Sequence, residues 1–310
     1  MSHICFIYGG AKYARHESFI GNRKCSCSCI VSRFCTGYFL CCDRKCSLKD
    51  LFPACCICLS DPVSYTHLDV YKRQDPEECT KIADYAEQMG SKVIVCHVLR
   101  YTPFFITIKE LINDGRLGDI ISVNHEECVG NVHQSHSFVR GNWGNSKRSS
   151  CMLLQKSCHD MDILQWLIGK KCKKVQSFGA LSYFKEENAP KDAPDYCIQG
   201  CPKADTCPYN AVRLYLDDKE NDWFRTTSTR EANPTDEMVE TALRTTQYGK
   251  CVFKCDNDVV DHQTVNMIFE DDITVTFTMN AFNKGGRFIH IMGTKGELHA
   301  AMDGLGTRCV

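Results

Sequence analysis

Lys156, His159 and Asp162 are the residues whose types and spacing are best suited to proton transfer. They lie three residues apart in "KSCHDMDILQWLIG", within the stretch 149–169, whose apolar spacing predicts one helix ending at Gly169. Lys156 and His159 would then share a face of that helix. Histidine titrates near neutrality, so it can act as a general acid or base. The alternative is a histidine hydrogen-bonded on a core helix.

Two further groups of polar and aromatic residues follow predicted strands and could line a cleft. Arg100 and Tyr101 come after the apolar run 92–98, which is typical of a buried parallel strand. Ligands often approach the carboxyl ends of such strands. The second group consists of Arg140, Asn142 and Trp143. Packing or surface roles stay open for all five residues.

The first residues of the chain have the spacing of a phosphate-binding turn. A short apolar strand, 3–7, is followed by small residues at the required positions, namely Gly9, Gly10, Ala11 and Ala14. Such a turn brings the backbone and a helix N-terminus close to a pyrophosphate. The methyl group of Ala11 weakens the match, because glycine is expected there, and a plain turn is the alternative.

The chain has 23 cysteines, of which three, Cys197, Cys201 and Cys207, lie in one short loop. Cys251 and Cys255 follow in "CVFKC". We expect reduced thiols here, because structural zinc sites usually pair their ligands more tightly. A zinc site, or less favourably an iron–sulfur cluster, is the alternative.

Residues 17–74 do not have the pattern of a folded enzyme. The segment 17–62 is rich in Cys and Ser without a hydrophobic period, which indicates a coding sequence in the wrong frame. A disulfide or metal-binding module is the alternative. For "VSYTHLDVYKRQ", 63–74, codons can be chosen that form an inverted repeat resembling two transposon ends joined head to head. We therefore treat 63–74 as a construction scar and leave it out of fold predictions.

Composition favours a cytoplasmic protein without nucleic-acid or membrane partners. Lys plus Arg is 37 and Asp plus Glu is 38, so no charge excess indicates nucleic acid. No run approaches the ~18 apolar residues of a spanning helix. The first residues also lack the pattern of a secretory signal.

Periodicity predicts two domains of different class, at 1–118 and 119–310. A helix from 75 to 90, the strand 92–98 and a helix at 104–114 complete an α/β, Rossmann-like domain. The second domain is α+β, with a mostly antiparallel sheet covered by helices. Its predicted strands are "DIISVNHEECV", "KVQSFGALSYF", a hairpin turned at Asp271-Asp272, and a pair turned at "GTKG".

The motifs "HVLRYTPFF", "GRLGDI", "RGNW", "KSCHDMDILQWLIG" and "GTKGEL" together resemble the Gfo/Idh/MocA family. The resemblance implies a Rossmann domain for NAD or NADP and a C-terminal domain whose large open sheet faces a sugar- or cyclitol-like substrate. It implies that His159 is the catalytic acid/base and that His97 and Arg100 contribute to cofactor binding. Many relatives have Asp where this chain has Gln155, which leaves Lys156 and Asp162 as candidates to orient His159.

The resemblance also indicates what a damaged N-terminal domain would lack. The family's catalytic lysine, in a Glu-Lys-Pro motif, would fall near 69–71, where Val70 stands instead. We therefore expect an incomplete Rossmann domain and an inactive chain. Further strands or helices beyond Val310 are also implied.

Three functions remain open for the parent protein. The leading one is an NAD(P)-dependent oxidoreductase that transfers hydride between nicotinamide and a sugar- or cyclitol-like alcohol. The others are an NAD-dependent glycoside hydrolase of the same fold and a non-catalytic sugar- or cofactor-binding protein. An exposed sheet face favours a homodimer or a higher homo-oligomer.

Overall fold

The computed structural model describes residues 16–20, 23–27, 29–30, 41–42, 76–89 and 97–303. The chain divides into two compact units, Met1–Cys96 and His97–Val310. The proposed phosphate turn (Gly9, Gly10, Ala11 and Ala14) and the segment 63–74 lie outside the described residues. The predicted domain limits of 1–118 and 119–310 stay a prediction, while compactness places 97–118 with the second unit.

The first unit contains short antiparallel strand pairs and one helix. Strand β1 (His16–Ile20) pairs with β2 (Arg23–Cys27), and β3 (Cys29–Ile30) pairs with β4 (Cys41–Cys42). Helix α1 (Pro76–Gln88) begins at the predicted position, because proline at the first helical residue has no N–H to leave unpaired.

The second unit begins with two helical segments. Val98–Tyr101 is a 3₁₀ helix, so the predicted strand 92–98 is wrong at its last residue. Helix α2 (Pro103–Asn113) follows, and its N-terminus is capped by Thr102, whose hydroxyl accepts a hydrogen bond from the Phe105 amide at 3.4 Å. The prediction of 104–114 for this helix is confirmed to within one residue.

A six-stranded mixed sheet forms the centre of this unit, as predicted. Its strands are β5 (Ile120–Cys128), β6 (Cys172–Ala180), β7 (His262–Phe269), β8 (Thr274–Asn280), β9 (Gly286–Gly293) and β10 (Glu297–Met302). The spatial order is β10-β9-β5-β8-β7-β6, and only the β5–β8 pair is parallel. Asp271 and Asp272 both adopt φ of 58° and turn the β7–β8 hairpin where it was predicted.

The predicted single helix 149–169 is wrong, because the chain breaks it into two. Helix α4 (Met152–Gln155) and helix α5 (Cys158–Ile168) are separated at Lys156 and Ser157, and α5 ends at Gly169 with φ of 71°. Lys156 therefore does not share a helix with His159 and Asp162. A short helix, α3 (Asn131–Gln134), precedes this region, and a π-helical turn, Ser135–Arg140, occupies the place of the strand expected before Arg140.

One face of the sheet is covered and the other is open. Inward-facing residues of β5, β7, β8 and β9 pack with α2 and α5 in the main apolar cluster. On the other face Phe178 and Phe288 are exposed, in agreement with the predicted open sheet. The long connection from β6 to β7 contains helices α6 (Asp222–Thr229) and α7 (Asp236–Thr245) and two smaller apolar clusters. Within the described residues, every helix is too short or too polar to cross a membrane.

Replacement of Phe277 tests the packing of the covered face. Its side chain has 0% exposure, whereas that of Phe178, also in a strand, is 64% exposed. We expect Phe277→Ala to lower the free energy of unfolding by about 3–5 kcal/mol, because it leaves a cavity. Phe178→Ala, the matched control, should change it by less than about 0.5 kcal/mol. Urea titrations followed by circular dichroism measure both, and equal effects would contradict this assignment of the two faces.

Candidate active site

His159 lies at the second residue of α5, largely enclosed by its neighbours. Its Nδ1 is buried and has no hydrogen-bond partner among the described residues. The ring of His97 meets it edge-on, with the centroids 6.2 Å apart. Burial, followed by the charge of Lys156, lowers the pKa of His159 to about 4. The ring is therefore neutral at pH 7 and able to accept a proton.

Lys156 is held by Glu127, a residue of β5 that was not among the predicted site residues. Its Nζ lies 3.0 Å from Glu127 Oε1, and the other carboxylate oxygen of Glu127 contacts the guanidinium of Arg287. Glu127 and Arg287 are direct partners in the β5–β9 register, which places their side chains on the same face of the sheet. One buried carboxylate thus lies between two cations.

Asp160 joins Arg287 to a second buried histidine. Arg287 Nε donates a hydrogen bond of 2.9 Å to Asp160 Oδ1, and His125 Nε2 lies 2.9 Å from the same oxygen. Burial would raise the pKa of Asp160, but Arg287 and His125 hold it below its usual range. Burial likewise disfavours the charge of Arg287, while Asp160 and Glu127 raise its pKa. Asp160 is therefore an ionised carboxylate inside the protein.

Asp162 is bound to the residues that follow the first unit. Arg100 contacts both of its carboxylate oxygens, with Nε donating at 2.7 Å, and His97 Nε2 lies 3.6 Å away. The hydrogen bond to Asp162 raises the pKa of Arg100, although burial opposes it. Asp162 therefore positions Arg100 and His97, which in turn contacts His159. A direct role in orienting His159 stays a prediction.

Gln155 has a structural role. Its Oε1 accepts a hydrogen bond from Ser149 Oγ at 2.8 Å, and its Nε2 donates to the Trp143 carbonyl at 2.6 Å. Gln155 thus ties α4 to the preceding loop. Position 155 therefore holds a neutral side chain that is hydrogen-bonded within the scaffold, and it supplies no carboxylate to His159.

The four residues predicted to bind substrate are not placed alike. Tyr101 and Asn142 are exposed, and Trp143 packs against the main apolar cluster. Arg140 is only 1% exposed, and its guanidinium donates to the carbonyls of Lys250 and Tyr209. The geometry therefore does not support Arg140 as a cleft residue, because its donors face the protein interior.

Sequence patterns alone missed three charged residues and one further histidine of this site, namely Glu127, Asp160, Arg287 and His125. One signal was present in and just after β5, where His125 and Glu127 alternate in phase with the apolar Val123 and Val129. A charged residue on the inward face of a strand requires a buried partner. The identity of that partner depends on the strand register, which is not readable from local sequence.

Comparison with known proteins gives the class of this chain. Residues 109–308 match the family described as "Oxidoreductase family, C-terminal alpha/beta domain" of the Gfo/Idh/MocA group. The match covers more than half of the chain, so the chain belongs to the Gfo/Idh/MocA oxidoreductase family, as its motifs indicated. The predicted C-terminal domain with an open sheet is confirmed by the same match.

Individual proteins similar to this chain share low sequence identity with it. A curated protein named "Putative oxidoreductase YteT", from Bacillus subtilis (strain 168), is 24% identical over 232 residues, or 72% of this chain and 51% of the relative. The chain thus spans about half the length of that relative. Among solved structures, scyllo-inositol dehydrogenase from Lactobacillus casei with bound NAD(H) and scyllo-inositol is 17% identical, with a TM-score of 0.42, covering 76% of this chain and 52% of the other. An oxidoreductase domain protein from Kribbella flavida is 16% identical, with a TM-score of 0.43, covering 73% and 46%.

Replacement of Glu127 tests the buried charge network. Glu127→Gln removes the anion between Lys156 and Arg287 while keeping the side-chain shape. We expect the free energy of unfolding to fall by about 3 kcal/mol, because Arg287 is left partly uncompensated in a buried position. The matched control is Glu126→Gln, on the exposed face of the same strand, with an expected change below about 0.5 kcal/mol. Equal losses of unfolding free energy for the two variants, measured by chemical denaturation, would contradict a stabilising role of the Glu127 charge.

Proposed function

We propose that this site performs the proton transfer of an NAD(P)-dependent oxidoreductase acting on a sugar- or cyclitol-like alcohol. The observation that carries the proposal is the position of His159, whose ring meets that of His97 edge-on and whose neutral form is favoured by burial and by the charge of Lys156. In alcohol oxidation the hydroxyl proton passes to a base while the carbon loses hydride, and a carbonyl remains. Nicotinamide, when bound, supplies the hydride acceptor.

His159 would accept the proton through Nε2, since Nδ1 is enclosed. The ammonium of Lys156 would stabilise negative charge developing on the substrate oxygen, and Glu127 fixes where that ammonium lies. The same positive charge disfavours the protonated form of His159, so the proton is readily returned in the reverse, reducing direction. The site is thus suited to a reversible exchange.

The described residues fit a cofactor approaching from the 97–101 segment. His97 and Arg100 lie there, and both contact Asp162 of the helix that carries His159. Because Arg100 is engaged by Asp162 through two oxygens, we assign it a positioning role rather than phosphate binding. Gly9, Gly10, Ala11 and Ala14 would hold the pyrophosphate, in the part of the chain that the structure does not describe.

We further propose that the chain, as its sequence stands, does not turn over substrate. Asp69, Val70 and Tyr71 occupy the position of the family's Glu-Lys-Pro motif. Lys156 does not replace that lysine, because Glu127 fixes it in a position of its own near His159. The oxidoreductase activity therefore belongs to the parent sequence.

Resequencing the source DNA between the codons for Ala14 and Glu78, followed by assay, tests the proposal. We expect a continuous Rossmann sequence with Glu-Lys-Pro, and NADH or NADPH formation from cyclitols or aldoses by the protein it encodes, but none by the present chain. In the continuous protein, His159→Asn should lower kcat by about 10²–10⁴-fold, because the proton acceptor is lost. The control His299→Asn, at an exposed histidine, should leave kcat unchanged.

Three outcomes would count against the proposal. A source sequence that retains 63–74 would remove the claim of enzymatic activity for this gene. A continuous protein that binds cofactor but loses nothing on His159→Asn would remove His159 from the mechanism. Free aglycone released from glycosides without net NADH would favour the glycoside hydrolase instead.

The pH profile gives a separate test of Lys156. Activity requires neutral His159, so kcat/KM of the continuous protein should fall as the pH drops through about 4, well below the usual 6.5. Lys156→Met removes a positive charge that lowers this pKa, so the acid limb should move upward towards 6.5. Lys174→Met, at an exposed lysine of β6, is the control and should leave the limb in place. An acid limb unaffected by Lys156→Met would contradict the placement of its charge.

A further inference from the structure

The connection between β6 and β7 gathers cysteines around one small cavity. Cys197, Cys201, Cys207 and Cys251 all line it, although Cys251 is far from the other three in sequence. None of the four forms a disulfide. The fifth cysteine of the region, Cys255, does not line the cavity, and its Sγ lies 3.4 Å from the Cys251 carbonyl. Four thiols thus line one cavity, with no three of their Sγ atoms within 4.8 Å of one another.

A buried cation lines the same cavity. Besides its bonds to the carbonyls of Lys250 and Tyr209, Arg140 directs Nη2 to Cys197 Sγ at 3.7 Å. Its Nη1 is buried and has no hydrogen-bond partner in the described part of the chain. No carboxylate of the described residues forms an ion pair with Arg140. Burial lowers the pKa of Arg140, whereas Tyr215 and the cysteines Cys197, Cys255 and Cys251 raise it.

A guanidinium enclosed in protein is costly unless a negative charge lies nearby. Neutral thiols do not supply that charge. Four thiolates around a divalent ion, or around an iron–sulfur cube, carry a net negative charge that one arginine partly balances. Hydrogen bonds from such a cation to the sulfurs are a usual part of the surroundings of thiolate-bound metals.

We propose that Cys197, Cys201, Cys207 and Cys251 bind a metal centre through four thiolates, with Arg140 Nη1 donating to a ligand sulfur. Soft thiolate ligands select zinc or an iron–sulfur cluster over hard cations. The C-x₃-C spacing of Cys197 and Cys201 lies within the range for such ligands. The site includes none of the residues around His159, so it does not depend on the proposed function.

A metal centre at this cavity would tie together separate parts of the chain. The centre would join the loop 197–207, the segment at Cys251 and the turn Ser135–Arg140, which come from separate parts of the chain.

Metal analysis of the full chain, purified anaerobically, is the first test. We expect either about one zinc ion per chain, or about four irons with matching acid-labile sulfide and visible charge-transfer absorption. Either result supports the proposal and identifies the metal. A chain that holds neither, even after incubation with Zn²⁺ or with Fe²⁺ and sulfide, would overturn it.

Alkylation of the unaltered chain tests the ligand set without relying on the folding of a variant. The four proposed ligands should resist iodoacetamide until a chelator is added, while Cys172, an exposed thiol on β6, should react throughout. Mass spectrometry of the peptides measures each cysteine separately. Equal reactivity of the four residues and Cys172 in the metal-loaded protein would exclude the site.

Single-residue variants then test whether Cys207, and not Cys255, is a metal ligand. Cys207→Ser should lower the metal content at least several-fold, because one of four ligands is lost. Cys255→Ser, the matched control in the same connection, should retain the metal. Full retention by Cys207→Ser, or loss confined to Cys255→Ser, would overturn the assigned ligands.

Discussion

The carboxylate of Glu127 is the interaction on which the site depends. It lies inside the protein between Lys156 and Arg287, and Arg287 in turn compensates Asp160. Removing any one of these charges leaves another uncompensated in a region of low dielectric. The four charged side chains therefore stabilise the fold only when all of them are present. The positions of α5 and β9 against β5 are therefore constrained by charge as well as by apolar packing.

This network explains how a neutral histidine is maintained next to several ionised groups. His159 is disfavoured as a cation by burial and by Lys156, yet Lys156 itself remains compensated by Glu127. The protein thus keeps a positive charge close to the reacting position without requiring His159 to neutralise it. Proton affinity and electrostatic stabilisation are assigned to different side chains.

Much of the second unit could be predicted from sequence because its signals are local. Two-residue alternation located β7 and β8, and the Asp271-Asp272 pair located their turn. The break before α5 could not be predicted, since the apolar spacing continues through Lys156 and Ser157. The π-helical turn at Ser135–Arg140 also escaped, because neither strand nor α-helical periodicity describes it.

In the candidate site, too, some residues could be predicted from local sequence and others could not. His159 followed from motif resemblance, and its neighbours in sequence were easy to nominate. Glu127 and Arg287 become partners only through the pairing of β5 with β9, more than 150 residues later. Such pairing is a property of the folded sheet and leaves little trace in either segment alone.

The placement of β5 in the middle of the sheet affects when, during synthesis, the site around Glu127 can form. This strand, made early, has no sheet neighbours until β8 and β9 have been synthesised. Closing the long loop between β5 and its sheet neighbours is slow. Until it closes, Glu127 is hydrated or in transient contacts, without Arg287 as its partner. During translation the site would therefore assemble late, after Arg287 has left the ribosome, and chains released before that point would present an unpaired central strand open to association with other chains.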